Sequence, residues 1–208
     1  MSGALIAFEG LDQSGKQTQA EALRDALAAA GQACELLSFP DYATAIGTEL
    51  HRALHGERDY APDVMQLLYV ANRYEKRDQI AATLAEGRVI LCDRYMASSV
   101  AYGEAQGLDP LWLTEIQKLL PAPDLTVLLD ITPDVAVRRK STGRDRYERD
   151  VALLTRVRDS YLAQAAADSR WLLVPGDRSK VEVQADVQQA VESRLSLLSA
   201  SSLRGRQP

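Results

Sequence analysis

Gly10-Leu11-Asp12-Gln13-Ser14-Gly15-Lys16-Gln17-Thr18 lies between the apolar run Ala4-Leu5-Ile6-Ala7-Phe8 and a helix-forming stretch from Gln19 to Ala30. An apolar run that breaks into a glycine-rich turn and then a helix reads as strand, loop and helix, the setting a phosphate-binding loop requires. The glycines let the backbone curl so that successive N–H groups face phosphate oxygens, and the helix N-terminus beyond adds partial positive charge. Lys16 would reach the outer phosphates as a point charge. The spacing is G-x-x-x-x-G-K, but Gln17 stands where that pattern places Ser or Thr. The hydroxyl that would meet Mg²⁺ is therefore displaced to Thr18 or absent. The bland alternative, a glycine-rich βα turn with an exposed lysine, leaves the loop composition unexplained.

Working outward, 208 residues suit one domain with a sizeable core, expected over residues 1–198, and residues 199–208 read as a small, polar, basic tail. A net charge of −5 argues against nucleic acid as the main partner, because phosphate backbones call for a basic face. No basic n-region opens the chain and no apolar run reaches membrane-spanning length, so a cytoplasmic protein with no membrane partner is expected. Cys34 and Cys92 sit in apolar runs without a C-x-x-C, which suits buried free thiols in a reducing compartment. His51 and His55 share a helical face, yet no further Cys or His completes a metal set, so a surface pair outweighs a ligand pair.

Further along, Ala33 to Leu37 reads as a second strand that delivers Phe39-Pro40-Asp41-Tyr42 to its carboxyl end, where ligands collect in open α/β sheets. Ile46 to Leu54 is a short amphipathic helix, and Asp63 caps one long helix reaching about Glu86. Met65, Leu67, Leu68, Val70 and Ala71 make that helix apolar around much of its circumference, which suggests a second buried surface such as a homodimer interface. Tyr69 and Arg73 lie four apart and can face one way. The strand Arg88 to Cys92 runs into Asp93-Arg94-Tyr95, charges that are costly at a buried strand end unless partnered. A helix begins near Ser98. Pro110 to Leu120 is another helix, Leu125 to Ile131 a fourth strand, and Pro133 opens a helix leading to Arg138–Arg149, a basic run in an acidic protein. Asp150 to Asp168 is helical, Trp171 to Val174 a fifth strand, and Val181 to about Ser199 the last helix. Strands alternating with helices give a five-stranded parallel sheet flanked by helices.

Taken together, F-E-G-L-D-Q-S-G-K-Q-T-Q, F-P-D-Y, A-N-R-Y-E, D-R-Y-M-A-S-S-V-A-Y and R-D-R-Y-E-R-D resemble, in order and over nearly the full chain, the thymidylate kinase family. The resemblance implies a P-loop kinase fold with a mobile lid at about 139–149, and transfer of a phosphoryl group from ATP to dTMP with Mg²⁺. It implies that the loop from Gly10 to Thr18, Lys16 above all, takes the ATP phosphates, and that Arg139 stacks on adenine. Asp12 would meet the 3′-hydroxyl of dTMP or sit near the magnesium. Tyr69 would stack on thymine, and Arg73 would donate to a base carbonyl. Arg94 would grip the dTMP phosphate with Asp93 orienting it, and Phe39 and Tyr42 would line the same pocket. Ser98, Ser99 and Tyr102 fall where the family surrounds the deoxyribose. Some members carry a catalytic arginine inside the loop; here that position is Gln13, so the lid residues Arg144 and Arg146 must supply the charge. Glu148 is a magnesium or lid contact. Two rivals share the loop: a deoxynucleoside or other nucleoside monophosphate kinase, and a non-catalytic nucleotide-binding protein of the same fold. Arg94 beside a deoxyribose gate speaks against a nucleoside acceptor, and the retained lysine and arginines against loss of transfer.

Overall fold

The computed structural model describes residues 3–139, 147 and 150–204, with side chains to residue 196. Chain order is β1 (Ala4–Glu9), α1 (Lys16–Ala29), β2 (Cys34–Ser38), α2 (Ala45–Leu54), α3 (Pro62–Tyr74), α4 (Arg77–Ala85), β3 (Val89–Asp93), α5 (Met96–Ala105), α6 (Pro110–Glu115), β4 (Leu125–Asp130), α7 (Pro133–Arg139), α8 (Val151–Ala167), β5 (Trp171–Pro175) and α9 (Lys180–Arg204). All strands pair in parallel in the order β2-β3-β1-β4-β5. The strand that precedes the phosphate loop is thus the middle one, buried along its whole length.

Side chains of β1 alternate between two cores, as strand geometry requires. Ile6 and Phe8 pack with Leu23 and Leu27 of α1 and Val187 of α9, whereas Leu5 and Ala7 pack with Ile80 of α4 and Tyr95. The same alternation puts Glu9 on the side of Leu5 and Ala7, and Asp93 of β3 on the side of Leu91 and α1. A third core joins α2, α3, α5 and α8 through Leu50, Met65, Ala101 and Leu154. The carboxyl ends of β1, β2 and β3 open between these layers, and the site lies there.

Three expected elements come out differently. The single helix from Asp63 to Glu86 is two, because Asn72 and Lys76 turn to the loop after β2. The Asn72 amide donates to Asp41 O, Thr44 Oγ1 and Glu75 Oε2 and accepts from Asp41 N, and Lys76 pairs with Asp41 at 3.0 Å. The N–H of Lys76 then bonds Arg73 O, an i to i−3 turn that ends α3. The cap also differs: Ala61 is the N-cap, Pro62 takes the first helical position and Asp63 lies in the first turn. The helix from Pro110 stops at Glu115, where Gln117 turns inward, donating to Met96 O and Leu113 O. At the far end α9 runs to Arg204, into the stretch expected as a tail.

Candidate active site

Left-handed backbone builds the phosphate loop. Gly10 has φ +135° and Gly15 φ +99°, and a Cβ on Gly10 would stand 2.5 Å from Leu129 O, so β4 leaves no room for a side chain there. Gly15 caps α1, aiming the free N–H groups of its first turn into the loop. Lys16 is buried and folds back over the loop, donating to Gly10 O at 3.2 Å and Leu11 O at 2.8 Å. Ser14 Oγ is buried and has no partner among the described residues. Gln17 and Thr18 are exposed on α1, and the Gln17 amide donates to Glu21 at 2.9 Å. Arg139 reaches this loop from α7, donating to Gln13 O at 3.0 Å and to Gly176 O, after β5, at 2.8 Å. It clamps the loop to the turn that follows the fifth strand.

Beside the loop a cleft with a cavity of about 100 Å³ opens between α3, α5 and the end of β2. It brings together every residue expected at the acceptor. Asp12 and Arg94 stand at one end with Tyr102; Phe39, Tyr42 and Tyr69 line the walls; Arg73, Ser98 and Ser99 complete it. Arg94, at φ +63°, turns back toward the loop after β1 and donates to Asp12 Oδ1 at 2.6 Å, while Tyr102 donates to Asp12 Oδ2 at 3.3 Å. Its guanidinium lies 5.4 Å from the Tyr102 ring centroid. Arg73 is buried and donates to Ser99 Oγ at 2.7 Å and Gln117 Oε1 at 3.3 Å. The first-turn serines of α5 therefore each hold an arginine, Ser98 for Arg94 and Ser99 for Arg73.

Charges here are set by close pairing. Burial works to raise the Asp12 carboxyl, but Arg94 and then Lys16 outweigh it and hold it at about 2. Burial opposes the charge on Arg94, yet Asp12 outweighs that and raises it well above its ordinary value. Lys16 is lowered from 10.5 to about 8 by burial and by Arg94, against the pull of Asp12, Asp93 and Glu9. The unfolded chain holds this proton up to higher pH, so folded stability rises as pH climbs from about 8 to 10.5. Nucleotide phosphates favour charged Lys16. Binding of ATP at about pH 8.5, where its phosphates are fully ionised, should then take up a fraction of a proton. Calorimetry in two buffers of different ionisation enthalpy checks this, and a binding heat independent of buffer at pH 8.5 contradicts it.

Asp93 does not make the expected bond to Arg94, which pairs with Asp12 instead. Alternation along β3 turns Asp93 to the side of α1, where its buried Oδ1 has no partner among the described residues and burial raises its carboxyl. For Mg²⁺, this unpartnered carboxylate oxygen of Asp93 is a candidate ligand beside the expected Asp12, whose two oxygens are engaged by Arg94 and Tyr102. Arg144, Arg146 and Glu148 lie outside the described residues. Tyr147, between them in sequence, is buried with its ring 5.9 Å from Tyr102.

Sequence reasoning missed Glu9, Gln66, Gln117 and Tyr161. Glu9, fully buried at the end of an apolar strand, carried a signal in its alternation with Leu5 and Ala7. Gln66 lies three residues before Tyr69 and lines the same cleft. Nothing local marks Gln117 or Tyr161.

The thymidylate kinase family model matches residues 8–187. A thymidylate kinase of Arabidopsis thaliana is 39% identical over 189 residues, covering 91% of this chain and 71% of the relative. A human thymidylate kinase is 34% identical, covering 89% and 88% of the two chains. Among solved structures, a thymidylate kinase of Candida albicans superposes with a TM-score of 0.79 at 31% identity, covering 92% of each chain.

Proposed function

The chain belongs to the thymidylate kinase family, phosphotransferases that move the γ-phosphoryl group of ATP to dTMP with Mg²⁺, and from that premise we propose how its residues divide the work. The carrying observation is that one cleft beside the phosphate loop joins an aromatic wall, a buried arginine at one end and an arginine–aspartate pair at the other. Thymine packs against Tyr69 and Phe39, and Arg73 donates to its O4 carbonyl. The deoxyribose sits by Asp12 and Tyr102, and the dTMP phosphate meets Arg94. The loop from Gly10 to Thr18 and Lys16 hold the ATP phosphates, with Arg139 on the adenine side.

Catalysis in such a site is positioning and charge stabilisation. Arg94 and Lys16 bring two polyanions together from opposite sides of the loop and stabilise charge growing on the transferring group. Mg²⁺, when bound with ATP, neutralises phosphate charge, and Asp93 would hold it. Arg144 and Arg146, in the lid segment at about 139–149, add positive charge over the reacting phosphates, and Glu148 is a magnesium or lid contact.

A homodimer and a cytoplasmic location belong to the same reading. Val64 and Leu67 of α3 stay 38% and 46% exposed while Met65 and Val70 of the same helix are buried, an apolar face that suits a second copy. Among the described residues no helix is long and apolar enough to cross a membrane. Sedimentation of the full chain checks the dimer.

The testing experiment follows ADP release with ATP, Mg²⁺ and a panel of dTMP, dUMP, dCMP and thymidine. Preferred turnover of dTMP is expected; turnover of thymidine alone would remove Arg94 from the acceptor phosphate. In the same assay Arg73→Ala should cut the preference for dTMP over dCMP by about 10²-fold, since a donor suits the O4 of thymine and not the amino group of cytosine. Unchanged selectivity would place base recognition elsewhere.

A further inference from the structure

Four donors converge on the buried carboxylate of Glu9. Oε1 accepts from the backbone N–H groups of Tyr95 at 2.9 Å and Ser98 at 3.2 Å, and Oε2 from Ser98 Oγ at 2.6 Å and Tyr161 Oη at 3.0 Å. The two hydroxyl oxygens lie 2.8 Å apart, and Arg94 Nη1 donates to Ser98 at 3.2 Å and Tyr161 at 3.3 Å. A hydroxyl has one proton and two lone pairs. A carboxylate is the stronger acceptor, so the two hydroxyl protons are held within the Glu9–Ser98–Tyr161 cluster, where the hydroxyls also bond each other, and each oxygen keeps a lone pair for Arg94. Burial, with Glu9 adding to it, pushes the Tyr161 phenol well up and keeps it a donor.

We infer that Glu9 and Tyr161 are positioning residues for the arginine that grips the acceptor phosphate. Glu9 polarises two hydroxyls into a cradle for Nη1, while Asp12 and Tyr102 take Nη2, so the guanidinium plane is fixed from both sides before substrate arrives. Fixing that plane lowers the cost of ordering the arginine at binding and sets the angle at which it meets the phosphate. Tyr161 stands on α8, the helix that follows the segment carrying Arg144 and Arg146, so the arginine is braced by β1, α5 and α8 together. A carboxylate serving only the fold could be satisfied by the two backbone donors and by solvent-free packing of hydroxyls turned elsewhere. Here both hydroxyls are shared with Arg94.

The inference rests on Arg94 as the phosphate ligand, and its test separates the two. Calorimetric titration of dTMP and of thymidine into the full chain, Tyr161→Phe, Arg94→Ala and the double variant is the experiment. Tyr161→Phe should weaken dTMP about tenfold and thymidine less than about twofold, with no added loss in the Arg94→Ala background. Glu9→Gln should show the same dTMP-selective loss; should that variant not fold, Tyr161→Phe carries the test. Equal weakening of both ligands, no weakening, or full additivity with Arg94→Ala overturns the positioning role. An Arg94→Ala variant that keeps the parental ratio of dTMP to thymidine affinity overturns both that role and the phosphate assignment. A normal Arg94→Ala effect beside a silent Tyr161→Phe overturns the positioning role alone.

Discussion

Lys16→Met is expected to lower kcat by about 10³-fold while leaving the fold and dTMP affinity nearly unchanged. The lysine is a buried cation whose ammonium, among the described residues, donates to the Gly10 and Leu11 carbonyls. Burying that charge already works against it, as its lowered proton affinity records. Methionine keeps the stem and removes the charge, so little folding free energy is lost. What disappears is the donor aimed at phosphate charge that grows in the transition state, a loss of about 4 kcal/mol in a dry site. A turnover within about tenfold of the parent, with dTMP and ATP saturating, would remove Lys16 from the reaction.

Arg94→Ala is expected to give the other large effect, a fall of about 10³-fold in kcat/KM for dTMP with a small change in KM for ATP. Removing the arginine strands Asp12, whose carboxyl then rises from about 2 toward the range burial favours. It also leaves Ser98 and Tyr161 facing an empty cradle. Breaking one partner of such a pair costs about 2 kcal/mol of stability, allowing for the part of Asp12 that reaches solvent, so the Tm falls as well. Because the Asp12 pair is lost below its folded pKa, the parent sheds this stabilisation only as pH falls from about 4 toward 2. Arg94→Lys, which keeps a charge without the planar fork, should recover stability before it recovers kcat/KM. A loss that falls on ATP rather than dTMP would contradict the assignment.

Much of this site is readable along the chain because its parts are local. The loop, its glycines and Lys16 occupy consecutive positions, and Tyr69 and Arg73 share a helical face four residues apart. The parallel sheet follows from strands alternating with helices, and the strand ends carry Phe39 and Arg94 to the cleft. The long-range pairing is another matter. Asp93 is next to Arg94 in sequence, yet strand alternation turns it away, and the partner Arg94 finds is Asp12, 82 positions distant. Gln117 and Tyr161 look like ordinary helix or turn residues until folding places them behind Arg73 and Arg94. Local pattern also overran the end of α3, since nothing in the periodicity of that stretch records the pull of Asp41 and Thr44 on Asn72.

We propose that dTMP lies in the cleft between α3 and α5 with its base at Tyr69 and Arg73 and its phosphate at Arg94. A crystal structure of the chain with dTMP and a non-hydrolysable ATP analogue tests it most directly. The thymine ring is expected against Tyr69, with an Arg73 donor on its O4 and the acceptor phosphate bonded to Arg94 and directed at the loop that follows β1. A dTMP molecule bound with its base toward that loop, or with its phosphate on arginines other than Arg94, would contradict it.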